Sequence, residues 1–512
     1  MRYRWPEDTA FTPCVLTVEQ EFCSHCQRSL NICDHRFHRI FTLAGPVKRV
    51  CKLARCPDRA CVGHAHTLSP LAEAQWTLPW WLIGWDVFCW LGHRRFARHG
   101  SIPQLQGELR DDYRIPLSDD AIRYYLQRYQ TMVAARHQDP ALRAAAYRDL
   151  DSLILTIDGL QPEKGHETLY VVRELRSKRV WFAEALLSST TAEVQRLVVK
   201  AKQWAEQLGK PVQLWMSDKQ DAFVTAIAAE FAGVPHCYCQ NHFLRDVAKP
   251  MWEADSQAKV KMRSKVRGLR AIERDVLAQQ AAEAAAAPVP AAPVPVATTA
   301  ARGVVQAVAT AQQEIRARAK EVHQIAATLD PRQGPAAQRK KRFRRLRKQL
   351  AASPDPVRQQ MAVVMAGFVV GLFAGGDRAG LPEDNLDLER WFRLPKGHER
   401  RIHGHRHAGV RLVQEGATSI PTLDAHRDCL KPLSAAELVG YRHAQKPADE
   451  HAAIAPQAHA QGPLQEETPP VANRPGTALP RRTLAFKRAV DFLTVGLIMV
   501  CGKHYAKQRN GN

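Results

Sequence analysis

The stretch SLILTID at 152–158, followed by ETLYVVRE at 167–174 and RVWFAEALL at 179–187, decides the fold of this protein. All three runs are rich in β-branched and aromatic residues, and short polar segments separate them. Such runs are typical of β-strands joined by short turns. We therefore predict an antiparallel meander.

The segment after the meander alternates between helical and strand patterns. We expect a helix at 192–208, the strand VQLWMSD at 212–218, a helix at 220–231 and the short strand HCYC at 236–239. Three meander strands followed by α-β-α-β is the element order of a ribonuclease H-like sheet, whereas a doubly wound fold would alternate from its start. The sequence therefore predicts an α/β fold with a ribonuclease H-like core, whose first part spans 150–245.

Two of the predicted strands end in an aspartate, Asp158 in the first and Asp218 in the fourth. In a ribonuclease H-like sheet these strands are neighbours, so both carboxylates could reach one metal ion. Phosphoryl transfer uses two hard cations about 3.5–4 Å apart, and carboxylates are the ligands such cations prefer. Because aspartate also favours turns, either residue alone could be structural. A third carboxylate on a helix beside the sheet would favour a metal site over a structural role for the aspartates, and Glu389 is placed to supply it.

Four segments carry a resemblance to a known family. They are TID at 156–158, SDKQDAF at 217–223, CYCQNHFLRD at 237–246 and DNLDLERWFRLPKGHERRIHG at 384–404. Their order resembles that of the Asp-Asp-Glu transposases of bacterial insertion sequences and their Mutator-like relatives. The specific features are a Cys-x-x-His pair, a long helical insertion and a glutamate within Asn-x-x-x-Glu-x-x-Phe.

The resemblance implies DNA transposition, by a cut-and-paste or a replicative route, with Mg²⁺ (or Mn²⁺) as cofactor. It implies a catalytic triad of Asp158, Asp218 and Glu389. The implied partner is double-stranded DNA, as transposon ends and as target, bound by a homo-oligomer. The second part of the core, with the glutamate, would span 381–415.

The sequence departs from the family before the glutamate, where relatives often carry two asparagines and this chain reads Glu383-Asp384-Asn385. Asp384 and Asp387 are therefore rival metal ligands. Asp387 and Glu389 point about 200° apart on a helix, so they cannot share a face. Glu389 shares its face with Asn385 and Phe392, and it remains the preferred ligand.

Three further residues near the triad are expected to support it rather than to react. Cys239 and His242 form a Cys-x-x-His pair, and two ligands do not complete a structural zinc site, which needs four. We expect this pair and Asn385 to be structural or to lie just behind the metal ligands. Asp221 is expected in the capping region of the helix after Asp218.

The first 70 residues are predicted to form a zinc-ribbon-like DNA-binding domain. Seven of the 12 cysteines fall between Cys14 and Cys61, and a reducing cytosol favours metal over disulfides. Two pairs, Cys23-x-x-Cys26 and Cys56-x4-Cys61, flank two strand-like runs and would hold Zn²⁺ tetrahedrally. Substitute ligands are Cys33, Cys51, His64 and His66, and a weaker second zinc site could use Cys33, His35 and His38.

Residues 78–135 are predicted to form a helix-turn-helix. Ser101 and Ser118 are placed as N-caps of its second and third helices. The third helix would enter the DNA major groove. The side chains that it offers to bases or phosphates are those of Arg123, Tyr124, Gln127 and Arg128. The alternative is a helical spacer.

Residues 246–380 are predicted to form a helical insertion with a Pro/Ala linker at 281–301. Its run QRKKRFRRLRKQL at 338–350 has eight basic residues among the ten from Arg339 to Lys348. We expect such a run to follow DNA phosphates. The predicted phosphate contacts are Arg339, Lys340, Lys341 and Arg342 in this run, and Lys396, Arg400 and Arg401 just after Glu389.

The whole chain is strongly basic, with 73 Lys and Arg against 51 Asp and Glu and a formal net charge of +22. This charge predicts a polyanionic partner. No apolar run reaches the roughly 20 residues of a membrane span, and no signal peptide opens the chain. We expect a bacterial cytoplasmic protein that is associated with the nucleoid and does not bind a membrane. Residues 445–483 are expected to be disordered and 484–512 to form a C-terminal tail.

Two alternative functions remain open at the level of sequence. The chain could be a catalytically decayed or domesticated transposase that acts as a DNA-binding regulator. It could also be a ribonuclease H-like nuclease that hydrolyses nucleic acid without transposition.

Overall fold

The computed structural model describes residues 3–161, 167–257, 313, 318–378, 380–382, 384–404, 410–428 and 430–446. All of them belong to one unit, Met1–Ala448. The predicted Pro/Ala linker at 281–301 and the tail at 484–512 lie outside the described residues, as does the segment at 445–483 beyond residue 446.

A five-stranded sheet forms the centre of this mixed α/β fold. Its strands are β4 (Leu153–Leu160), β5 (Thr168–Glu174), β6 (Arg179–Leu186), β7 (Val212–Ser217) and β8 (His236–Tyr238), in the order β6-β5-β4-β7-β8. The pairs β4–β5 and β5–β6 are antiparallel, which confirms the predicted meander. The pairs β4–β7 and β7–β8 are parallel. Because of the parallel pairing, the C-terminal ends of β4 and β7 meet at one edge.

The two faces of β4 are buried against different layers, because successive side chains of a strand alternate between faces. Leu153, Leu155 and Ile157 share an apolar cluster with residues of α6 (Thr191–Leu208) and α7 (Asp221–Glu230). On the opposite face, Leu160 packs with Leu388 of α12 (Leu386–Trp391). One sequence prediction is corrected here: Asp158 does not end β4, since pairing with β5 continues to Leu160.

A separate three-stranded sheet lies near the N-terminus. Its strands are β1 (Thr12–Leu16), β2 (Asn31–Thr42) and β3 (Gly45–Arg55), in the order β1-β3-β2. The hairpin of β2 and β3 agrees with the strand-like runs seen between the cysteine pairs. Strand β1, parallel to β3, was not predicted.

Helices follow this sheet: α1 (Glu73–Trp76), α2 (Trp85–Phe96), α3 (Ile102–Tyr113), α4 (Asp119–Gln138) and α5 (Pro140–Ala146). Ser101 and Ser118 cap α3 and α4 through their side chains, as predicted. Helix α2 begins at Trp85 rather than near residue 79, because the chain makes a turn before it, with Trp80 at φ 67°.

The rest of the described chain is helical. Residues 240–257 form α8 and 318–327 belong to α9, and the further helices are α10 (Ala336–Ala351), α11 (Pro356–Leu372), α12, α13 (Arg393–His403), α14 (Arg411–Gln414), α15 (Gly416–His426) and α16 (Ala435–Leu438). The described part of the predicted insertion is thus helical. Among the described residues, no helix has the length and apolar character needed to cross a membrane.

Candidate metal centres and nucleic-acid interface

Asp158 and Asp218 occupy equivalent positions on two neighbouring parallel strands. The register pairs Thr156 of β4 with Met216 of β7, and each aspartate lies two residues beyond its member of that pair. Side chains two residues apart on a strand share a face, and adjacent strands lie about 4.8 Å apart. The two carboxylates are therefore neighbours on one face of the sheet.

Helix α12 brings two predicted residues to this same face. Asn385 precedes the helix and is fully buried, and its Nδ2 donates a hydrogen bond of 3.4 Å to Asp158 Oδ2. Its backbone amide donates to Cys239 Sγ at 3.5 Å. Glu389 lies one turn further along, with its amide bonded to the Asn385 carbonyl. The structure thus brings Asn385 into contact with Asp158 and places Glu389 one turn further along the same helix.

Burial and neighbouring charges change the acidity of both aspartates. Burial, followed by the nearby Asp218 and Glu389 charges, raises the pKa of Asp158 to about 7. Burial also raises the pKa of Asp218, although His242 and Arg245 oppose this shift. Carboxylates that resist ionisation in the absence of a cation are typical of functional sites.

Glu389 points toward the Cys-x-x-His pair. Its Oε1 lies 3.2 Å from His242 Nδ1. Cys239, His242 and Glu389 each offer one ligand atom within 4.8 Å of the other two, so the three residues could hold a metal ion. The described residues contain one other such cluster, formed by four cysteines, and Asp158 and Asp218 belong to neither. The three predicted catalytic carboxylates therefore do not converge as closely as this second set of ligands.

The rival carboxylates make other contacts. Asp384 Oδ1 accepts a hydrogen bond from the Leu386 amide at 3.1 Å. Asp387 Oδ2 lies 3.1 Å from Arg173 Nη1 in an ion pair. Asp221 is the first residue of α7, and its side chain is 96% exposed. With Asp384 and Asp387 held by other partners, Glu389 is the carboxylate of α12 that remains for a metal ion, and in this structure it contacts His242.

Two buried anchors of α12 were missed at the level of sequence. Arg173 of β5, 1% exposed, donates to the Asp387 carbonyl at 3.2 Å in addition to its ion pair. Asp424 of α15 accepts hydrogen bonds from Trp391 Nε1 and from the Val180 amide, each at 3.0 Å. The sequence does mark Arg173, because it is a charged residue inside an apolar strand and such a residue needs a buried partner. Nothing in the local sequence marks Asp424.

Four cysteines form the other cluster that could hold a metal ion such as zinc, namely Cys23, Cys26, Cys56 and Cys61. The Sγ distances are 3.8 Å for Cys23–Cys61 and 3.5 Å for Cys26–Cys56. Zn–S bonds of about 2.3 Å in a tetrahedron place sulfurs about 3.8 Å apart, so these distances fit. The amides of Cys26 and His25 lower the pKa of Cys23 to about 6, which favours the metal-binding thiolate.

The substitute ligands lie outside this cluster. Cys33 donates to the Leu53 carbonyl, and Cys51 is buried within β3. His64 Nδ1 lies 2.6 Å from the Cys56 carbonyl, so it contacts the site through the backbone. The set of Cys33, His35 and His38 does not form a ligand cluster. Gly63 was not predicted: a Cβ there would lie 2.7 Å from Cys23 Sγ, so the site requires glycine.

Helix α4 presents three of its four predicted DNA contacts to solvent. Arg123, Tyr124 and Gln127 are exposed. The prediction for Arg128 is corrected, because its guanidinium donates to the carbonyls of Arg442 and Ala444 at 2.9 and 2.8 Å.

The basic run forms α10, and it is amphipathic. Arg339 is 7% exposed and donates to the carbonyls of Leu329 and Gly334, so the prediction that it contacts phosphate is wrong. Lys340 is half-buried, while Lys341 and Arg342 are exposed, and Arg342 donates to the Gln333 carbonyl. The exposed face also includes Arg344, Arg345 and Lys348.

The basic residues after Glu389 lie on α13. Arg400 and Arg401 are exposed and Lys396 is half-buried. These side chains are accessible to a polyanion.

No protein-family model matches this chain, and no curated protein matches it.

Proposed function

We propose that this protein is a DNA transposase with a ribonuclease H-like core, in which Asp158, Asp218 and Glu389 bind Mg²⁺ (or Mn²⁺) for DNA cleavage and strand transfer. The observation that carries the proposal is the equivalent placement of Asp158 and Asp218 on β4 and β7, with α12 packed on the same face. The strand order β6-β5-β4-β7-β8, with three antiparallel strands first, is the order expected of such a core.

The donor set fits a hard divalent cation. Asp158 and Asp218 offer carboxylate oxygens, and Asn385 Oδ1 is buried without a hydrogen bond to the described residues. When bound, the cations would activate an attacking oxygen and stabilise the leaving oxygen at a phosphate. Glu389 would join the aspartates by turning from His242.

Other residues of this face would orient the DNA. Arg245 lies close enough to lower the pKa values of both aspartates, and its side chain is 70% exposed. We expect it to contact the reacting phosphate. The exposed cations of α10 and α13 would contact the DNA on either side, and the metal-binding head and α4 would recognise the transposon end.

A strand-transfer assay tests the proposal, with a donor DNA that carries the inverted repeats flanking the gene. We expect Mg²⁺-dependent joining by the wild type and a loss of about a thousandfold or more in Asp218→Asn, since metal stabilisation of the transition state is worth several kcal/mol. Asp221→Asn is the matched control, because this aspartate is three residues away and exposed. Joining that persists in Asp218→Asn would refute the catalytic assignment.

A second candidate function is a DNA-binding regulator derived from a transposase. The orientation of Glu389 toward His242 rather than toward the aspartates favours it. Tight binding of the inverted repeats without cleavage or joining would support the regulator. Cleavage without joining would instead support a nuclease.

A further inference from the structure

A second metal site can be assembled from residues of three different elements. Cys239 follows β8, His242 lies in the first turn of α8, and Glu389 lies on α12. Each residue offers one donor atom, and these three atoms (Sγ of the cysteine, a ring nitrogen of the histidine and a carboxylate oxygen of the glutamate) lie within 4.8 Å of one another. The two residues of the Cys-x-x-His pair alone would be too few, and the glutamate supplies the third ligand.

The spacing of the nitrogen and oxygen atoms fits a tetrahedral ion. His242 Nδ1 and Glu389 Oε1 lie 3.2 Å apart. Zinc bonds to nitrogen and oxygen of about 2.0–2.1 Å place two tetrahedral ligand atoms about 3.3 Å apart. Both atoms are buried, and neither makes a hydrogen bond to the described residues. Since buried polar atoms nearly always have a partner, a cation between them would satisfy both.

The mixture of donors selects the kind of metal. Magnesium prefers an all-oxygen shell, whereas thiolate and imidazole ligands favour zinc. We propose that Cys239, His242 and Glu389 bind one Zn²⁺, with water in the fourth position. Binding releases the Cys239 thiol proton to solvent.

This site shares a ligand with the proposed catalytic centre. Zinc bound to Glu389 withdraws that carboxylate from Asp158 and Asp218, so the zinc-bound protein is an inactive form. This consequence rests on the proposed function, whereas zinc binding itself does not.

Zinc stoichiometry tests the site directly. The full chain is incubated with Zn²⁺, freed of excess metal by gel filtration and analysed for metal content. We expect two zinc ions per chain in the wild type and one in Cys239→Ser and in Glu389→Gln. The matched control is Cys237→Ser, which replaces a neighbouring buried cysteine outside the cluster and should retain two. A Cys26→Ser variant should lose the other zinc and keep this one.

One zinc per wild-type chain, or two in folded Cys239→Ser, would overturn the proposal. Because Cys239→Ser could fail to fold, circular dichroism accompanies each count, and Glu389→Gln gives an independent reading at a half-exposed position. Loading with Co²⁺ adds a spectroscopic check in the Cys26→Ser variant, where the thiolate-to-cobalt charge-transfer band should be lost on further substitution of Cys239→Ser.

The zinc site and the proposed transposase function are tested by independent measurements. If the wild type joins DNA with Mg²⁺, prior zinc loading should suppress joining at least tenfold, and a chelator followed by Mg²⁺ should restore it. Undiminished joining by protein that holds two zinc ions would overturn the inactive form. If no joining occurs with any metal, the proposed function fails, while the zinc count still decides the site.

Discussion

Glu389 is the ligand that the two candidate metal sites share. Its helix is fixed at both ends, by Arg173 on β5 and by Asp424 on α15. Since the helix is anchored at both ends, we expect Glu389 to exchange between His242 and the aspartates by rotation of its own side chain, whose torsions have several staggered positions. We infer that the choice of metal, rather than a movement of the helix, decides which site is formed.

His426 should make folding stability depend on pH. Burial, with the nearby His93, lowers the pKa of His426 to about 4, and its Nε2 lies 2.9 Å from the Tyr129 hydroxyl. Between pH 6.5 and 4 the unfolded chain then binds more protons at this residue than the folded chain. This contribution to stability is complete above pH 6.5 and is lost as the pH falls toward 4. We expect the melting temperature to fall over that window.

The matched variant is His426→Gln, which keeps a polar partner for Tyr129 but cannot be protonated. Its melting temperature should change less between pH 6.5 and 4.5 than that of the wild type. Equal slopes in the two proteins would show that His426 is not the titrating group.

Among the individual elements, helix α10 has its basic run divided between a buried face and an exposed face. Phe343 is fully buried and Arg339 is almost so, which fixes one face of the helix against the insertion. The opposite face keeps the exposed cations. A stripe of this kind neutralises phosphates, and each contact contributes about 0.9 to the slope of log affinity against log salt.

We predict that neutralising this face weakens binding to DNA of any base sequence. The variant is the triple substitution Lys341→Gln, Arg345→Gln, Lys348→Gln. The slope of its log affinity for DNA against log salt concentration should be smaller in magnitude than that of the wild type by up to about 3. Fluorescence anisotropy over a salt series measures both quantities. The charge-conserving swap Lys341→Arg, Arg345→Lys, Lys348→Arg is the control and should keep both values. An unchanged slope in the glutamine triple variant would exclude this face from DNA binding.

At the scale of the whole molecule, α15 joins the N-terminal helices to the central sheet. Leu423 of α15 packs among the residues of α2 and α4. Asp424, the next residue, accepts from the Val180 amide of β6 and from Trp391 of α12. Helix α15 thus packs both in the core of the N-terminal helices and against the central sheet, and we expect the two parts to unfold together.

Asp424→Ala should destabilise the whole described unit. It leaves the Val180 amide and Trp391 Nε1 without acceptors, and each unpaired buried donor costs about 1–3 kcal/mol. Urea unfolding, followed by tryptophan fluorescence and by circular dichroism, should show one transition at a lower midpoint. Asp428→Ala is the control, since its side chain is 79% exposed, and it should behave as the wild type. Two separated transitions in the wild type would show that the N-terminal helices and the central sheet unfold independently, contrary to this prediction.

Features that depend on neighbouring residues could be predicted from the sequence. The meander followed from runs of β-branched and aromatic residues, and the caps Ser101 and Ser118 from their placement before helical segments. The four-cysteine cluster followed from the spacing of its two pairs. Each of these patterns is local, because period, cap and ligand spacing act within a few residues.

Contacts between side chains far apart in the chain could not be predicted and are known from the folded structure. It buried Arg339 inside a run that looks uniformly basic, and it joined Glu389 to Cys239 and His242 from opposite ends of the insertion. It also placed Asp424 against α12. These pairings depend on helix rotation and on packing between elements far apart in the chain, which no short sequence window contains. The kinds of ligand were therefore set by sequence, and their partners by the fold.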